Sequence, residues 1–209
     1  MKLLGLDTSL GACQAAVLDG EAVRASASEP MLRGHQERLA PMVQEVMNAA
    51  GLPFSALDRI GVTVGPGSFT GVRVGLAFAK GLALALNIPL IGLGTLEALA
   101  ASVEPEGRVA AVIDAKRGQV YLQGFQDGRP LDEPQALPLD QARERLVRMK
   151  PGIVVGPGAG LFEGLDGARI APLPAPDAAA MARLAASAGA SERPPRPIYL
   201  RAPDARPSA

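Results

Sequence analysis

The sequence predicts an α/β protein made of two similar halves, each a hairpin, a helix, and a strand that turns sharply into another helix. Two repeated features and their order carry this. Val62-Thr63-Val64-Gly65-Pro66-Gly67-Ser68-Phe69-Thr70-Gly71 joins a β-branched run to a Gly-Pro-Gly turn and a helix start, and Val154-Val155-Gly156-Pro157-Gly158-Ala159-Gly160 repeats the run and the turn. Upstream of each lies a matching pair of apolar runs. Leu4 to Gly11 leads into Ala15-Ala16-Val17-Leu18 and ends at Asp19-Gly20; Ala111 to Gly118 leads into Val120-Tyr121-Leu122 and ends near Asp127-Gly128. In both, Asp closes the first run, glycine follows four residues later, and Asp-Gly makes the next turn. The same order twice points to duplication, with lobes at 1–103 and 104–209.

The first helix spans His35 to Ala50, with Leu39, Met42, Val43, Val46 and Met47 at helical spacing and Gly51 as its stop. Pro41 either bends it or marks its first turn. The Gly65–Gly67 turn follows a strand and opens the second helix, Ser68 to Leu86. The turn glycines permit positive φ, and the Ser68 hydroxyl can accept from an N–H of the first helical turn. Such a loop suits an anion, and it equally suits a plain strand-to-helix connection. The helix is apolar nearly all round and predicts burial on more than one side. Gly71, Gly75 and Ala79 stack four apart, so another backbone can approach closely, either the chain's own sheet or a partner's helix. In the second half, Asp177 caps a helix from Ala178 to Ala188, with Gly189 as its stop. Ser191 to Pro197 reads as a Pro/Arg-rich linker before Ile198-Tyr199-Leu200. A disordered tail is expected from Arg201 on, and Arg193, Arg196, Arg201 and Arg206 are expected to be solvated.

Composition narrows the chemistry. With 21 basic and 21 acidic residues the formal charge is zero, and only 3% of the 209 residues are aromatic. That is a poor independent surface for nucleic acid. Cys13, the one cysteine, reads as a small buried hydrophobe, and no internal disulfide can form. No leader or membrane span is expected: the most apolar stretch, Val72 to Leu90, is interrupted by Arg73, Lys80, Asn87 and Pro89, and a soluble cytosolic protein follows. One histidine, His35, rules out a site with two His ligands. Ser68 lacks the Gly-x-Ser-x-Gly setting, and neither Gly-Pro-Gly turn leads into Gly-Lys-Ser/Thr. Asp7 and Asp114 close equivalent strands. They either hold a metal ion across a cleft or cap their turns.

Five segments together resemble the TsaB (YeaZ) family, the bacterial partner of the machinery that places threonylcarbamoyl on adenosine 37 of tRNA. They are Leu4 to Ser9, His35 to Val43, Gly65 to Gly75, Ile113 to Tyr121, and Pro197 to Arg201. The resemblance implies an actin-like (ASKHA, RNase H-like) fold, two lobes with mixed sheets flanked by helices. It implies a non-catalytic subunit that binds and activates TsaD. The alternatives are a free-standing ATPase or kinase of this fold and a glycoprotease-like peptidase. TsaD carries metal-binding histidines four apart; here His35 is followed by Leu39, so no metal site of the chain's own is expected. An actin-like phosphate loop usually has glycine where Ser9 follows Asp7-Thr8, which leaves Asp7, Thr8, Ser9, Gly67 and Ser68 as a weak anion or nucleotide contact. No cofactor is expected on the chain alone; ATP or ADP and a metal ion enter through partner subunits. The expected partner surface uses His35, Leu39, Met42, Val43, Val46, Met47, Gly71, Gly75 and Ala79. The same patch, left bare, would drive a homodimer. The ATPase TsaE is expected on the TsaB–TsaD pair, with tRNA bound only indirectly and no membrane.

Overall fold

The computed structural model describes residues 1–104, 107–189 and 194–201. Strands β1 (Lys2–Asp7), β2 (Ala12–Asp19) and β3 (Ala22–Pro30) form an antiparallel meander, and β4 (Arg59–Thr63) and β5 (Leu90–Leu93) continue the sheet in parallel from the other edge of β1. β1 and β2 are buried on both faces, so their sequences are continuous apolar runs. At the edge, β3 alternates: Ala25 and Ala27 are partly buried while Arg24, Ser26 and Ser28 face water. Helices α1 (His35–Ala50) and α2 (Phe69–Leu86) cover one face.

The second lobe repeats this plan. β6 (Arg108–Lys116), β7 (Gln119–Gln126) and β8 (Arg129–Pro130) are antiparallel, β9 (Gln135–Pro138) also pairs with β7, and β10 (Ile153–Val155) and β11 (Arg169–Ala171) run parallel to β6. The orders β3-β2-β1-β4-β5 and β8-β7-β6-β10-β11 are equivalent, as a duplication requires. Helix α3 (Thr95–Ala101) packs Leu96 and Leu99 against one face of this sheet, and α4 (Leu139–Met149) packs Ala142 and Leu146 against the other.

The structure departs from the sequence reading in four places. The second Gly-Pro-Gly turn opens only a 3₁₀ turn, Ala159–Phe162, and no long helix. The last helix, α5 (Ala178–Ser187), returns to the first sheet: Met181, Ala182 and Ala185 pack beside Leu3, Ala16 and Leu18, so the chain crosses back over the 103/104 boundary. Its N-cap is Asp177, which accepts from the Ala180 N–H at 2.8 Å, and it ends at an extended Ala188 rather than at Gly189. Finally, residues 194–201 are docked on the protein, and Arg201 bonds to the second lobe instead of being solvated. Arg193, the start of the expected linker, and the tail from Ala202, with Arg206, lie outside the described residues.

Candidate functional site

The loops that close β1 and β4 meet under the start of α2. β1 ends at Asp7, and Thr8 and Ser9 turn beneath the helix, all three buried. Ser68 sits at the N-cap of α2 and accepts from the Gly71 N–H at 3.3 Å, while its own N–H donates to Ser9 O at 2.8 Å. Thr8 Oγ1 donates to Gly71 O at 2.7 Å. The five residues expected at an anion contact, Asp7, Thr8, Ser9, Gly67 and Ser68, are therefore brought together. The space inside the turn is filled by the chain itself: a side chain at Gly67 would run into Ser9 O, and one at Gly71 into Thr8 O.

Asp7 Oδ1 accepts from the Ser9 N–H at 3.0 Å and from the Ser9 and Thr63 hydroxyls at 2.5 Å each. Thr95 Oγ1 bonds Ser9 Oγ at 3.2 Å and extends the network. Asp7 Oδ2 has no partner, and burial pushes this carboxyl above the usual carboxylate range despite the donors on Oδ1. In the other lobe, burial pushes Asp114 up too, but the Lys116 ammonium at 2.7 Å and the Lys116 N–H at 2.8 Å outweigh it and hold the group low. Each carboxylate thus caps its own turn, the second of the two sequence readings. Among the described residues no three His, Cys, Asp or Glu side chains group as metal ligands.

The α1/α2 pair corrects the expected partner surface. Leu39, Met42, Val43, Val46 and Met47 are 0–3% exposed and form the core between α1 and the first sheet; His35 is 8% exposed. Gly71 and Gly75 face Thr8, Gly75 also nears Val62, and Ala79 joins the same core, so the close neighbour of the small-residue stripe is the chain's own sheet. The periodicity found the most apolar face of each helix, and the protein spends that face on itself. The outward surface is built from other residues: Gln36, Ala40, Pro41 and Gln44 on α1, and Arg73, Ala77, Lys80, Gly81 and Leu84 on α2. α2 is long and apolar enough by length and composition to cross a membrane; its inner face is buried or packed on the core, with Val74, Phe78, Leu82 and Leu86 partly covered, and its outer face is exposed. Leu84 is 83% exposed, and nothing lies within 4 Å of where a Gly81 side chain would start. A second small-residue stripe, Ala77-Gly81-Ala85, was the signal for this face. At the rim, Arg38 pairs with Glu29 at 2.6 Å and Glu45 at 2.8 Å. A cavity of about 300 Å³ opens between the N-terminal ends of the two helices, walled by Arg33, Gly34, His35, Ser68 and Thr70.

The family described as TsaD, tRNA N6-adenosine threonylcarbamoyltransferase, matches residues 29–140. The Escherichia coli tRNA threonylcarbamoyladenosine biosynthesis protein TsaB is 38% identical over 60% of this chain and 55% of its own length. The chain spans about half the length of the curated TsaB relatives it matches. An uncharacterized protein of Mycobacterium tuberculosis is 31% identical over 99% of this chain and 95% of its own. The structure of YeaZ from Pseudomonas aeruginosa superposes with a TM-score of 0.79 at 32% identity, covering 95% of this chain and 99% of that one. A ROK hexokinase from Thermus thermophilus, 18% identical with a TM-score of 0.50, shares the fold alone. Two mixed, helix-flanked sheets in duplicated order, with these likenesses, make the fold actin-like and the chain a member of the TsaB (YeaZ) family.

Proposed function

We propose that this chain is a non-catalytic subunit in the synthesis of threonylcarbamoyladenosine on tRNA, and that it binds and activates a TsaD. The pathway is the one its TsaB relatives are named for. The observation that carries the partner reading is the outer face of α2, where Ala77, Gly81, Leu84 and Ala85 are exposed, with Ala77, Gly81 and Leu84 in line for close helix packing. The single His35 with Leu39 four residues on, and an Asp7 whose Oδ1 is spent on Ser9 and Thr63, support a partner rather than an enzyme. The same two features weigh against a free-standing ATPase or kinase and against a peptidase. TsaD then supplies the transferase chemistry, metal and nucleotide, TsaE acts on the TsaB–TsaD pair in the cytoplasm, and zero net charge leaves tRNA to the partner. Activation is a population shift: this chain binds the competent arrangement of TsaD preferentially. Without TsaD the same face pairs two copies.

The test is co-purification with the host's TsaD, followed by tRNA modification with TsaD and TsaE, with and without this chain. Leu84→Asp and Gly81→Leu, both on open surface, should abolish capture and modification while the thermal melt shows the chain still cooperatively folded. Full modification without the chain, or unchanged capture of TsaD by both variants, would overturn the proposal.

A further inference from the structure

Residues 194–201 touch both lobes in eight residues. A side chain at Gly92 on β5 would meet Pro195 Cβ at 2.7 Å. The Ile198 N–H donates to Val64 O at 2.7 Å, its carbonyl lies against the Gly65 turn, and its side chain joins the core under α1 and α2. Arg73 Nε donates to the Tyr199 hydroxyl at 2.9 Å; the Tyr199 ring lies 5.3 Å from that of Phe69, and the Arg73 guanidinium stacks 3.6 Å over Phe69. Two residues later Arg201 Nη1 donates to Ala115 O at 2.8 Å and to Gln119 Oε1 at 3.3 Å, at the β6–β7 turn of the second lobe. Ile198 and Leu200 wall a cavity of about 510 Å³ whose other sides include Gly94, just after β5, Glu97 of α3, and Gln123 and Glu133 of the second lobe.

We infer that residues 194–201 are an interlobe strap, which closes the cleft between the lobes and holds them in one relation. The segment has no helix or strand of its own, so its position rests on these contacts. Each contact alone is weak. Tyr199 and Arg201 are only two residues apart, a few ångströms of chain. Once one end is seated, the other end finds its site at high effective concentration. Docking on the two lobes is therefore one event, and loosening either end frees both. The strap also rests on Phe69 and Arg73 in the first turns of α2, so it fixes the start of that helix and the lobe-to-lobe relation together. This does not depend on which partner, if any, covers α2.

Amide hydrogen exchange on the full chain separates a strap from two unrelated contacts. The reporters are the Ile198 N–H on the first lobe and, on the second, the Lys116 N–H, which donates to Asp114 Oδ1 beside the Arg201 site. Tyr199→Ala should speed exchange at Lys116, and Arg201→Gln should speed it at Ile198, each by about tenfold. Both changes lie outside the core, and an unchanged melt confirms the fold. If each variant moves only the amides at its own end, and the far reporter stays at the parent rate, the strap is refuted.

Discussion

Three glycines in α2 differ in what a methyl group would meet, and the differences can be worked into a stability order. Glycine to alanine inside a helix gains about 1 kcal/mol of intrinsic propensity. At Gly81 nothing stands within 4 Å, so Gly81→Ala should realise that gain, a rise of about 2–4 °C in Tm for a chain of this size. At Gly75 the new Cβ would lie 2.5 Å from Thr8 Oγ1, which must rotate and give up its 2.7 Å bond to Gly71 O. That bond and the rotamer change cost about 1–2 kcal/mol together, so Gly75→Ala should come out roughly neutral to mildly destabilising. At Gly71 the obstacle is the backbone oxygen of Thr8, which cannot swing aside. Overpacking of about 1–3 kcal/mol, with part of the Ser68 cap lost, predicts a fall of roughly 4–10 °C. Thermal and urea melts by circular dichroism, at dilutions where the chain is monomeric, give the order. Thr8→Ala removes the Oγ1 obstacle, so Gly75→Ala should be stabilising in that background, with a coupling of about 0.5–3 kcal/mol. A Gly71→Ala variant as stable as the parent, or a Gly81→Ala variant less stable than Gly75→Ala, would refute the packing argument.

Two further outcomes follow from buried groups. Because burial raises the Asp7 carboxyl above its ordinary value near 3.8, the stability tied to its proton is full below that pH and is lost as pH rises through the raised folded value. Asp7→Asn keeps an acceptor for Ser9 and Thr63 and removes this slope, so urea midpoints from pH 4 to 7 should show the variant gaining on the parent; the opposite trend rules the account out. The Cys13 thiol, fully buried and pushed up to about 11, should resist a thiol reagent at pH 8 until the chain is unfolded in denaturant, and rapid native labelling would show the site to be open.

Local grammar was legible where backbone chemistry decides. Gly51 ends α1 with φ of 66°, Ser68 caps α2, and Asp127-Gly128 turn with φ of 50° and 76°. The helix bounds at 35–50 and the duplicated hairpins followed from the same signals. What the chain could not disclose was which surface each apolar stripe would meet. α5 is mostly alanine and carries no address; its place on the first sheet depends on Gly5 leaving room for Ala182 and Gly61 for Ala185, a fit visible only in three dimensions. α4 has just two buried residues among its eleven, too sparse a pattern to stand out. The α1/α2 face failed for the converse reason. Its apolar spacing was real, but a helix lying on a sheet uses its strongest stripe inward, so the outward face had to be found among weaker residues such as Ala77 and Gly81.

The two lobes also diverge in a way that bears on the proposed docking face. Both Gly-Pro-Gly turns enter with a strongly positive φ, 103° at Gly65 and 115° at Gly156, and both tuck under the end of the central hairpin. After Gly67 comes Ser68, whose hydroxyl caps an 18-residue helix. Where Ser68 stands in the first copy the second has Ala159, which has no hydroxyl; the 3₁₀ turn starting there has no side-chain cap and lasts four residues, Phe162 is buried in the lobe core, and Gly164 at φ of 76° redirects the chain. Among the described residues the second lobe therefore has no counterpart of α2. Of the two helices on its sheet, α3 is mostly buried, and α4 shows mainly charged residues to water, among them Arg143, Glu144 and Arg148. The capped copy continues into an apolar helix with an uncovered side, and the uncapped copy has only a short 3₁₀ turn at that place.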